Sequence, residues 1–359
     1  MSDLSEHHDE LRQVARELLA RSVAADPGWT QLAEVGWTGL EVPESLDGSG
    51  ATFAETAVVL EELGRAASVT AYFGTAVLGV GALNAVPPNP ARDELLAQVA
   101  LGARTVAVAL GATGDEALAE PPFRLERSGG ELRLHGRAEL VLDAGEADQL
   151  LLLAEDPDRG PVLVLSPPAN VEVVRVPVVD ATRRFGTVTA DGVVISDDAV
   201  WTFAGDGAEA AQQLLDRAAV AVACDAMGLA GAMLDATVAY LGERRQFGRQ
   251  IGSFQAVKHA CADLLVELTI GRELLTAAIE AVAAGDPGAG RAAARAKSYV
   301  TAAAVEVVGE ALQLHGAMGY SWESGLHVYL KRAILDRSLH GSPAAHRRRI
   351  AADLIASRA

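Results

Sequence analysis

The sequence predicts an α+β fold in which a β-sheet lies between two helical parts along the chain. Apolar residues recur at helical spacing over residues 1–103, alternate or form short runs over 104–203, and return to helical spacing over 204–359. The pairs Gly129-Gly130 and Asp191-Gly192 punctuate the middle part as hairpin turns do. We therefore predict three domains with these boundaries: a helical domain, an antiparallel β-sheet domain and a second helical domain.

The N-terminal part contains a series of predicted helices. The first is amphipathic, with Leu4, Leu11 and Leu18 on one side. Pro43 and the segment 47–50 (Asp-Gly-Ser-Gly) then break the helical pattern. The predicted helices cover residues 3–24, 29–40, 53–63, 67–83 and 91–102.

The central part changes to strand patterns. Val106, Val108 and Leu110 recur at every second position, and short apolar runs follow further along the chain. The predicted strands cover residues 106–110, 132–134, 150–154, 162–165, 171–179 and 192–195. Several short strands with turns at this spacing indicate a small sheet domain.

The C-terminal part begins with a long helix. Between Ala208 and Glu243 there is no proline, and apolar side chains recur on nearly every face, as in a buried helix. Asp225 and Asp235 interrupt its apolar run, so we interpret it as a core helix and not as a membrane span.

The residues that follow this helix are rich in groups that bind phosphates. Arg244, Gln246 and Phe247 lie between two predicted helices. Gly248 suits the left-handed residue that ends the first helix, and Ser253 is predicted to cap the second. Guanidinium and amide groups on a rigid base are how proteins hold a pyrophosphate or an adenine. Arginines here also neutralise the C-terminal end of a helix, so the residues alone leave both interpretations open.

Composition and charge narrow the class of function. The 359 residues are half hydrophobic, as in a globular protein, and carry a formal net charge of -18. This charge disfavours nucleic-acid binding, which needs a basic face. The cysteines, Cys224 and Cys261, lie in apolar helical runs and are predicted to be reduced core residues without metal-ligand spacing. The acidic first ten residues lack an apolar stretch, so we expect no secretory signal and a cytoplasmic protein.

Two segments of the C-terminal part carry a family resemblance. Residues 243–259 (Glu-Arg-Arg-Gln-Phe-Gly-Arg-Gln-Ile-Gly-Ser-Phe-Gln-Ala-Val-Lys-His) resemble the signature that opens the C-terminal bundle of acyl-CoA dehydrogenases. Residues 313–320 (Gln-Leu-His-Gly-Ala-Met-Gly-Tyr) resemble the second signature of that family, and residues 36–44 resemble its N-terminal domain. The resemblance implies a helical domain, a central sheet and a C-terminal four-helix bundle. It also implies FAD as cofactor and an acyl-CoA thioester as substrate.

The resemblance further implies which residues meet the cofactor. In the family, the two signatures reach across a subunit interface to the FAD of the neighbouring subunit. The implied cofactor-binding residues here are Arg244, Gln246, Phe247, Gln313, Gly316 and Ala317. The first two would meet the pyrophosphate or ribose, the third would flank the cofactor, and the last three would pack along the adenosine diphosphate. Gly316 would let the backbone approach closely.

The family's catalytic base is replaced in this sequence. Members remove an α-proton with a carboxylate while a hydride passes from the β-carbon to the flavin. In many members the carboxylate precedes a Gly-Thr pair, and His340 occupies the matching place. In others it lies on the long helix, where the matching place holds Ala218, which cannot accept a proton. Asp216 should face elsewhere, and Asp225 lies about 10 Å further along the axis. His340 is the candidate base; the alternative is a histidine near a helix end without that role.

The segments that would bind the chain's own flavin depart from the family pattern. The corresponding loop, Gly111–Phe123, retains only Glu120-Pro121 of the family's Thr-Glu-Pro-x-x-Gly-Ser motif. The later strand, Arg137–Asp143, lacks the tryptophan that lies beside the flavin in the family. The residues that serve a partner's flavin are therefore present, and those that would serve the chain's own flavin are altered.

This asymmetry resembles the smaller subunit of the heterotetrameric, steroid-type acyl-CoA dehydrogenases of actinobacteria. It implies a subunit that pairs with a homologous catalytic chain. Two alternatives remain: a self-sufficient homomeric dehydrogenase with a displaced base, and a scaffold that binds acyl-CoA or a partner without redox chemistry. The sequence does not separate a CoA thioester from an acyl group on a carrier protein.

Overall fold

The computed structural model describes residues 2–19, 26–111 and 120–356. By internal packing the chain divides into two compact units. The helical unit comprises Met1–Asp26, Ala57–Val69 and Ala219–Ala359, and the sheet unit comprises Pro27–Thr56 and Thr70–Ala218. The three domains predicted along the chain follow the order of element types, and their boundaries stay a prediction.

The elements follow the predicted order of helices, strands and helices. The helices are α1 (Ser2–Leu19), α2 (Trp29–Glu34), α3 (Phe53–Arg65), α4 (Val80–Asn84), α5 (Pro90–Ala100), α6 (Gly207–Glu243), α7 (Gln255–Ala283), α8 (Ala289–Leu314), α9 (His327–Ser338) and α10 (Pro343–Ala356). The strands of the main sheet are β1 (Val106–Ala109), β2 (Phe123–Ser128), β3 (Glu131–Leu142), β4 (Gln149–Asp156), β5 (Gly160–Ser166), β6 (Glu172–Val176), β7 (Phe185–Ile195) and β8 (Val200–Thr202).

The predicted central sheet is present, but it is mixed and not wholly antiparallel. Its strand order is β6-β7-β3-β2-β4-β5-β8, with β1 also paired to β4. Both β1 and β2 run parallel to β4, and they pair with successive parts of it, at Gln149–Leu152 and at Ala154–Glu155. Strand β2 therefore runs in the same direction as β1. Apolar alternation shows which residues face the core but carries no information on strand direction. Strands β2 and β8 were not predicted from it.

One of the two predicted hairpin turns lies inside a strand. Gly129-Gly130 does connect β2 to β3, with positive φ at both residues. Asp191-Gly192 instead forms an irregularity within β7, where the register to β3 shifts. Gly192 has φ +68, its N–H donates to His135 Nδ1 (3.2 Å), and its carbonyl accepts from Arg133 Nη1 (2.9 Å). A bulge and a turn both need a left-handed glycine, which is why the pair predicted a turn.

Two predicted helices of the N-terminal part are shorter than expected. The helix predicted over 29–40 ends at Glu34, before Gly36 with φ +78. The helix predicted over 67–83 is replaced by an irregular stretch around Ala67 (φ +46), a π-helix over Phe73–Gly79 and then α4. In the π-helix, the Thr75 hydroxyl donates to the carbonyl of Val106 at the start of β1 (2.9 Å). Helical periodicity depends on nearby residues, so it does not predict this contact with a strand further along the chain.

The long helix α6 is a core helix, as predicted. It is long and apolar enough to cross a membrane, but 83% of its apolar window is buried inside the structure. In the helical unit, α6 and α3 cross with their backbones in contact. Gly228 packs against the carbonyl of Glu61, and Gly64 packs against the backbone of Asp225. A Cβ atom on either glycine would overlap those backbone atoms.

The described residues of the C-terminal part form three long helices, α6 to α8, and two shorter ones, α9 and α10. Both α9 and α10 pack on α8. They are separated where His340 and Gly341 adopt positive φ (+50 and +93), a backbone break that the sequence pattern did not indicate. Cys224 is buried as predicted, whereas Cys261 is only partly buried and is not a core residue.

Candidate functional site

The first signature folds as a β-hairpin. After α6 ends, β9 (Arg245–Gln246) pairs with β10 (Arg249–Gln250) in antiparallel register. Phe247 and Gly248 form the turn, with φ of +51 and +79. Two left-handed central residues are typical of the type I′ turn that joins twisted strands. Gly248 is therefore left-handed, as predicted, but it closes a hairpin and does not end the helix.

The hairpin is held at its base by backbone contacts. The Ile251 N–H donates to the carbonyl of Arg244 (2.9 Å), which closes the loop onto the end of α6. Ser253 does not cap α7, because its hydroxyl donates back to the carbonyl of Gln250 (2.6 Å). Helix α7 begins only at Gln255, without a side-chain cap.

The hairpin carries positive charge that the described part of the chain leaves uncompensated. Arg244, Arg245 and Arg249 are all exposed, and none forms an ion pair with a described residue. The Arg249 guanidinium lies 3.9 Å from the centre of the Phe254 ring. Phe247 is 90% exposed and meets Phe254 edge-on. On an acidic protein, these groups form a local site for an anion with an aromatic side chain beside it.

The second signature forms an exposed turn at the end of α8. Gln313 and Ala317 are exposed, and Tyr320 Oη donates to Gln313 Oε1 (3.1 Å). Gly316 adopts φ +59, and a Cβ atom there would meet nothing within 4 Å. The glycine thus serves the left-handed backbone and leaves open space beside it.

The structure brings the two signatures together through side chains that the sequence did not single out. The Tyr240 ring, in the last turn of α6, stacks on the His315 ring with centroids 4.6 Å apart and an interplanar angle of 22°. His315 Nδ1 lies 2.8 Å from the carbonyl of Ala311 and 3.5 Å from Thr237 Oγ1. Tyr240 and His315 lie within or beside the recognised signatures. Only the packing of α6 against the end of α8 shows that they touch.

The sequence and the fold agree with comparisons to known proteins. Residues 5–103 match the family model for the acyl-CoA dehydrogenase N-terminal domain, and residues 205–355 match that for its C-terminal domain. The acyl-CoA dehydrogenase IpdE2 of Mycolicibacterium smegmatis is 30% identical over 344 residues, covering 95% of this chain and 93% of that protein. This chain belongs to the acyl-CoA dehydrogenase family. Members of the family are oxidoreductases that act on acyl-CoA and in general depend on FAD.

Solved structures of this acyl-CoA dehydrogenase family confirm the fold. A variant of the Tcur3481-Tcur3483 steroid ACAD is 30% identical with a TM-score of 0.86, covering 99% of both chains. The ChsE4-ChsE5 complex from Mycobacterium tuberculosis is 25% identical with a TM-score of 0.83, covering 99% of this chain and 96% of that chain. The predicted α+β architecture of helices, central sheet and helices is therefore confirmed.

The positions considered for the catalytic base have different environments. Ala218 is buried and has no proton acceptor. The Asp225 carboxylate accepts from Arg332 Nε (2.8 Å) and Nη2 (2.5 Å), so it is engaged in a buried ion pair and is no substitute base. His340 lies between α9 and α10 with φ +50, and its carbonyl accepts from His346 Nε2 (2.9 Å). Its role as a base stays a prediction.

The segments predicted to face the chain's own flavin are only partly described. Residues 112–119 of the loop Gly111–Phe123 lie outside the described residues. Strand β3 is irregular within the segment Arg137–Asp143: Leu140 has φ +49, and the register to β7 shifts between Ala138 and Val141. Within the described ranges no cluster of three or more His, Cys, Asp or Glu side chains is arranged to hold a metal ion.

Proposed function

We propose that this chain is a subunit of a heteromeric, FAD-dependent acyl-CoA dehydrogenase and completes the flavin site of a homologous catalytic chain. The observation that carries the proposal is the exposure of the site residues. Arg244, Gln246, Gln313, Gly316 and Ala317 are all exposed, as is the Phe247 ring. A cofactor pocket normally encloses most of its ligand, and a protruding hairpin beside a surface turn encloses none. A second chain must supply the remaining walls.

The donor set fits a flavin dinucleotide. Guanidinium groups bind diphosphates through charge-assisted hydrogen bonds, and Arg244, Arg245 and Arg249 have no competing carboxylate among the described residues. The open space at Gly316 admits a ligand close to the backbone. FAD, when bound, supplies the redox chemistry by accepting the hydride from the acyl group. The residues of this chain would bind and orient the adenosine diphosphate part.

The altered base and flavin-facing strand favour a heteromer over a homomer. A histidine, His340, replaces the carboxylate, and the strand around Leu140 lacks the tryptophan and is irregular. The two similar structures named above are, by their names, a steroid ACAD of two components and a two-protein complex. By this similarity we assign the chain a bulky acyl-CoA substrate of the steroid type.

Purification with and without a partner tests the proposal. The chain should be nearly colourless when purified alone. It should become yellow, and should dehydrogenate acyl-CoA with an artificial electron acceptor, when co-purified with a homologous chain encoded beside it. A solitary preparation with full flavin content and normal turnover would establish the homomeric alternative. A complex that stays colourless with every homologous partner would establish the non-redox scaffold.

Single substitutions test the site itself. Arg244→Ala and Gln313→Ala should lower the flavin content of the complex, because a hydrogen bond to a charged phosphate contributes about 1.5–3 kcal/mol. Arg124→Ala, at an exposed ion pair on the sheet unit, is the matched control and should leave flavin content unchanged. Unchanged flavin occupancy in both site variants would remove the assignment.

A further inference from the structure

The His315 ring is fixed by its own chain. It is 7% exposed, stacked on Tyr240 and hydrogen-bonded through Nδ1 to the carbonyl of Ala311 at 2.8 Å. A carbonyl oxygen only accepts hydrogen bonds, so Nδ1 must carry the hydrogen and donate it. This hydrogen bond determines the tautomer of the uncharged ring and leaves Nε2 as an acceptor.

The acceptor nitrogen faces outward without a partner of its own. Nε2 makes no hydrogen bond to any residue in the described part of the chain, and it is not among the fully enclosed polar atoms. A nine-tenths buried imidazole therefore presents one oriented lone pair at the surface. Gln313 lies two residues before it and Gly316 directly after it, and both belong to the proposed dinucleotide site.

The other polar side chains of the site offer no acceptor that packing holds in a fixed direction. Arg244, Arg245 and Arg249 are donors only. The acceptor oxygen of Gln313 already receives the hydroxyl hydrogen of Tyr320. The arginines match the phosphate oxygens of a dinucleotide. The amide oxygens of Gln246 and Gln313 can accept hydrogen bonds but belong to exposed side chains, so among these described residues His315 Nε2 is the acceptor that packing holds in place.

We infer that His315 is a further binding residue of this site and that its Nε2 accepts a hydrogen bond from the adenosine part of the dinucleotide. The inference rests on the function proposed above. Phosphate oxygens have no hydrogen to offer, so the donor is a ribose hydroxyl or the adenine amino group. Tyr240 is a positioning residue, because it touches the ring of His315 and holds its plane.

His315→Phe isolates this hydrogen bond. Phenylalanine keeps a ring to stack on Tyr240 and removes both nitrogens. The carbonyl of Ala311 still receives the backbone N–H of residue 315 at 3.1 Å, so the helix end retains a partner. Calorimetry is done on the intact complex after its flavin has been removed. The variant complex should bind ADP about two- to tenfold more weakly than the native complex, which is the loss expected for one hydrogen bond.

Analogues of ADP identify the donor and separate binding from folding. The native complex should bind one of 2′-deoxy-ADP, 3′-deoxy-ADP and inosine diphosphate more weakly than it binds ADP. The His315→Phe complex should bind that analogue and ADP equally well. A merely structural role would lower the melting temperature of His315→Phe and leave the discrimination intact. His315→Gln retains an acceptor oxygen and should recover part of the discrimination between ADP and the analogue. This variant replaces His315→Phe in the test if His315→Phe does not fold.

The outcomes distinguish this inference from the proposed function. Equal binding of all four nucleotides by the native complex, or unchanged ADP binding by His315→Phe, would overturn the role of His315. If Arg244→Ala and Gln313→Ala still weaken ADP binding in that case, the proposed site stands without His315. If those two variants also bind ADP normally, the proposed function fails as well.

Discussion

Asp225 and Arg332 form a fully buried ion pair inside the helical unit. The carboxylate on α6 accepts two hydrogen bonds from the guanidinium on α9, at 2.8 and 2.5 Å, and both side chains are at most 1% exposed. Arg332 Nη1 also donates to the carbonyl of Ser68 (2.6 Å). The pair thereby joins α6, α9 and the segment after α3 within that unit.

Removal of one partner of this pair should be strongly destabilising. Asp225→Ala leaves a guanidinium buried without its counter-charge, so the free energy of unfolding should fall by about 3–5 kcal/mol. Denaturant titration followed by circular dichroism measures this. The exposed pair Arg124–Glu126 is the control, and Glu126→Ala should change the free energy of unfolding little, because solvent screens the pair. Equal losses in the two variants would refute the structural role given to the buried pair.

The glycine crossing of α3 and α6 should tolerate no side chain. Gly228→Ala places a methyl group on the carbonyl of Glu61, so the helices must move apart and the melting temperature should drop. Gly242, later in the same helix, has open space at its Cβ position. Gly242→Ala should be neutral or stabilising by about 0.5–1 kcal/mol, because alanine favours helices. Calorimetric melting of both variants checks the contrast, and a stable Gly228→Ala protein would contradict it.

Lys297 should make stability rise with pH in alkaline solution. Burial lowers the pKa of its ammonium group from an ordinary 10.5 to about 7, while the charge of Asp336 opposes the shift. Between these values the unfolded chain holds a proton that the folded chain has released. Stability from this group is therefore full above pH 10.5 and is lost as pH falls toward 7, by at most about 1.4 kcal/mol per pH unit.

The Lys297→Met variant isolates this contribution. Methionine fills similar space without a titrating group, but it loses the hydrogen bond to the carbonyl of Asp336 (2.7 Å). The difference in unfolding free energy between native and variant protein should change with pH from 7 to 10. A difference that is constant over this range would contradict the prediction.

Asp143 should have the opposite effect in mildly acidic solution. It lines a cavity of about 350 Å³ in the sheet unit. Burial raises the pKa of its carboxyl from 3.8 to about 7, against the opposing charges of Arg183 and Arg184. Here the folded chain holds a proton that the unfolded chain has released. Its stabilising effect is full below pH 3.8 and is lost as pH rises toward 7.

Asp143→Asn should flatten this part of the pH–stability curve. The asparagine keeps the size of the side chain and cannot titrate. Urea unfolding at intervals between pH 4 and 7 should show native and variant stabilities diverging as pH rises. Parallel curves would show that Asp143 titrates normally.

Phe247 is a strained residue whose replacement should separate folding from cofactor binding. Its φ of +51 is unfavourable for a bulky side chain, whereas asparagine tolerates the left-handed conformation well. Phe247→Asn should leave the melting temperature unchanged or slightly higher, because the 90% exposed ring contributes little to packing. The flavin content of the co-purified complex should fall. Phe247→Leu, which keeps the strain and loses the aromatic ring, should leave the melting temperature unchanged and lower the flavin content; retained flavin in both variants would show that the ring is dispensable.

Much of the fold follows from local sequence patterns. The change from helical to alternating spacing near residue 104 and back near residue 204 predicts the order of helices, sheet and helices. The signatures at 243–259 and 313–320 predict the family. Such features depend on neighbours a few positions away, so a single sequence displays them directly. The buried character of α6 was predictable for the same reason.

Only the tertiary structure decided the features that depend on residues far apart in the chain. The parallel pairing of β1 with β4, the ion pair of Asp225 with Arg332 and the stacking of Tyr240 on His315 each join segments that are separated by tens of residues. Periodicity indicates that a side chain is buried but not what it is buried against. Hydrogen-bond partners, tautomers and pKa shifts follow from those contacts, because each depends on the distance between particular atoms and on the exclusion of water around them.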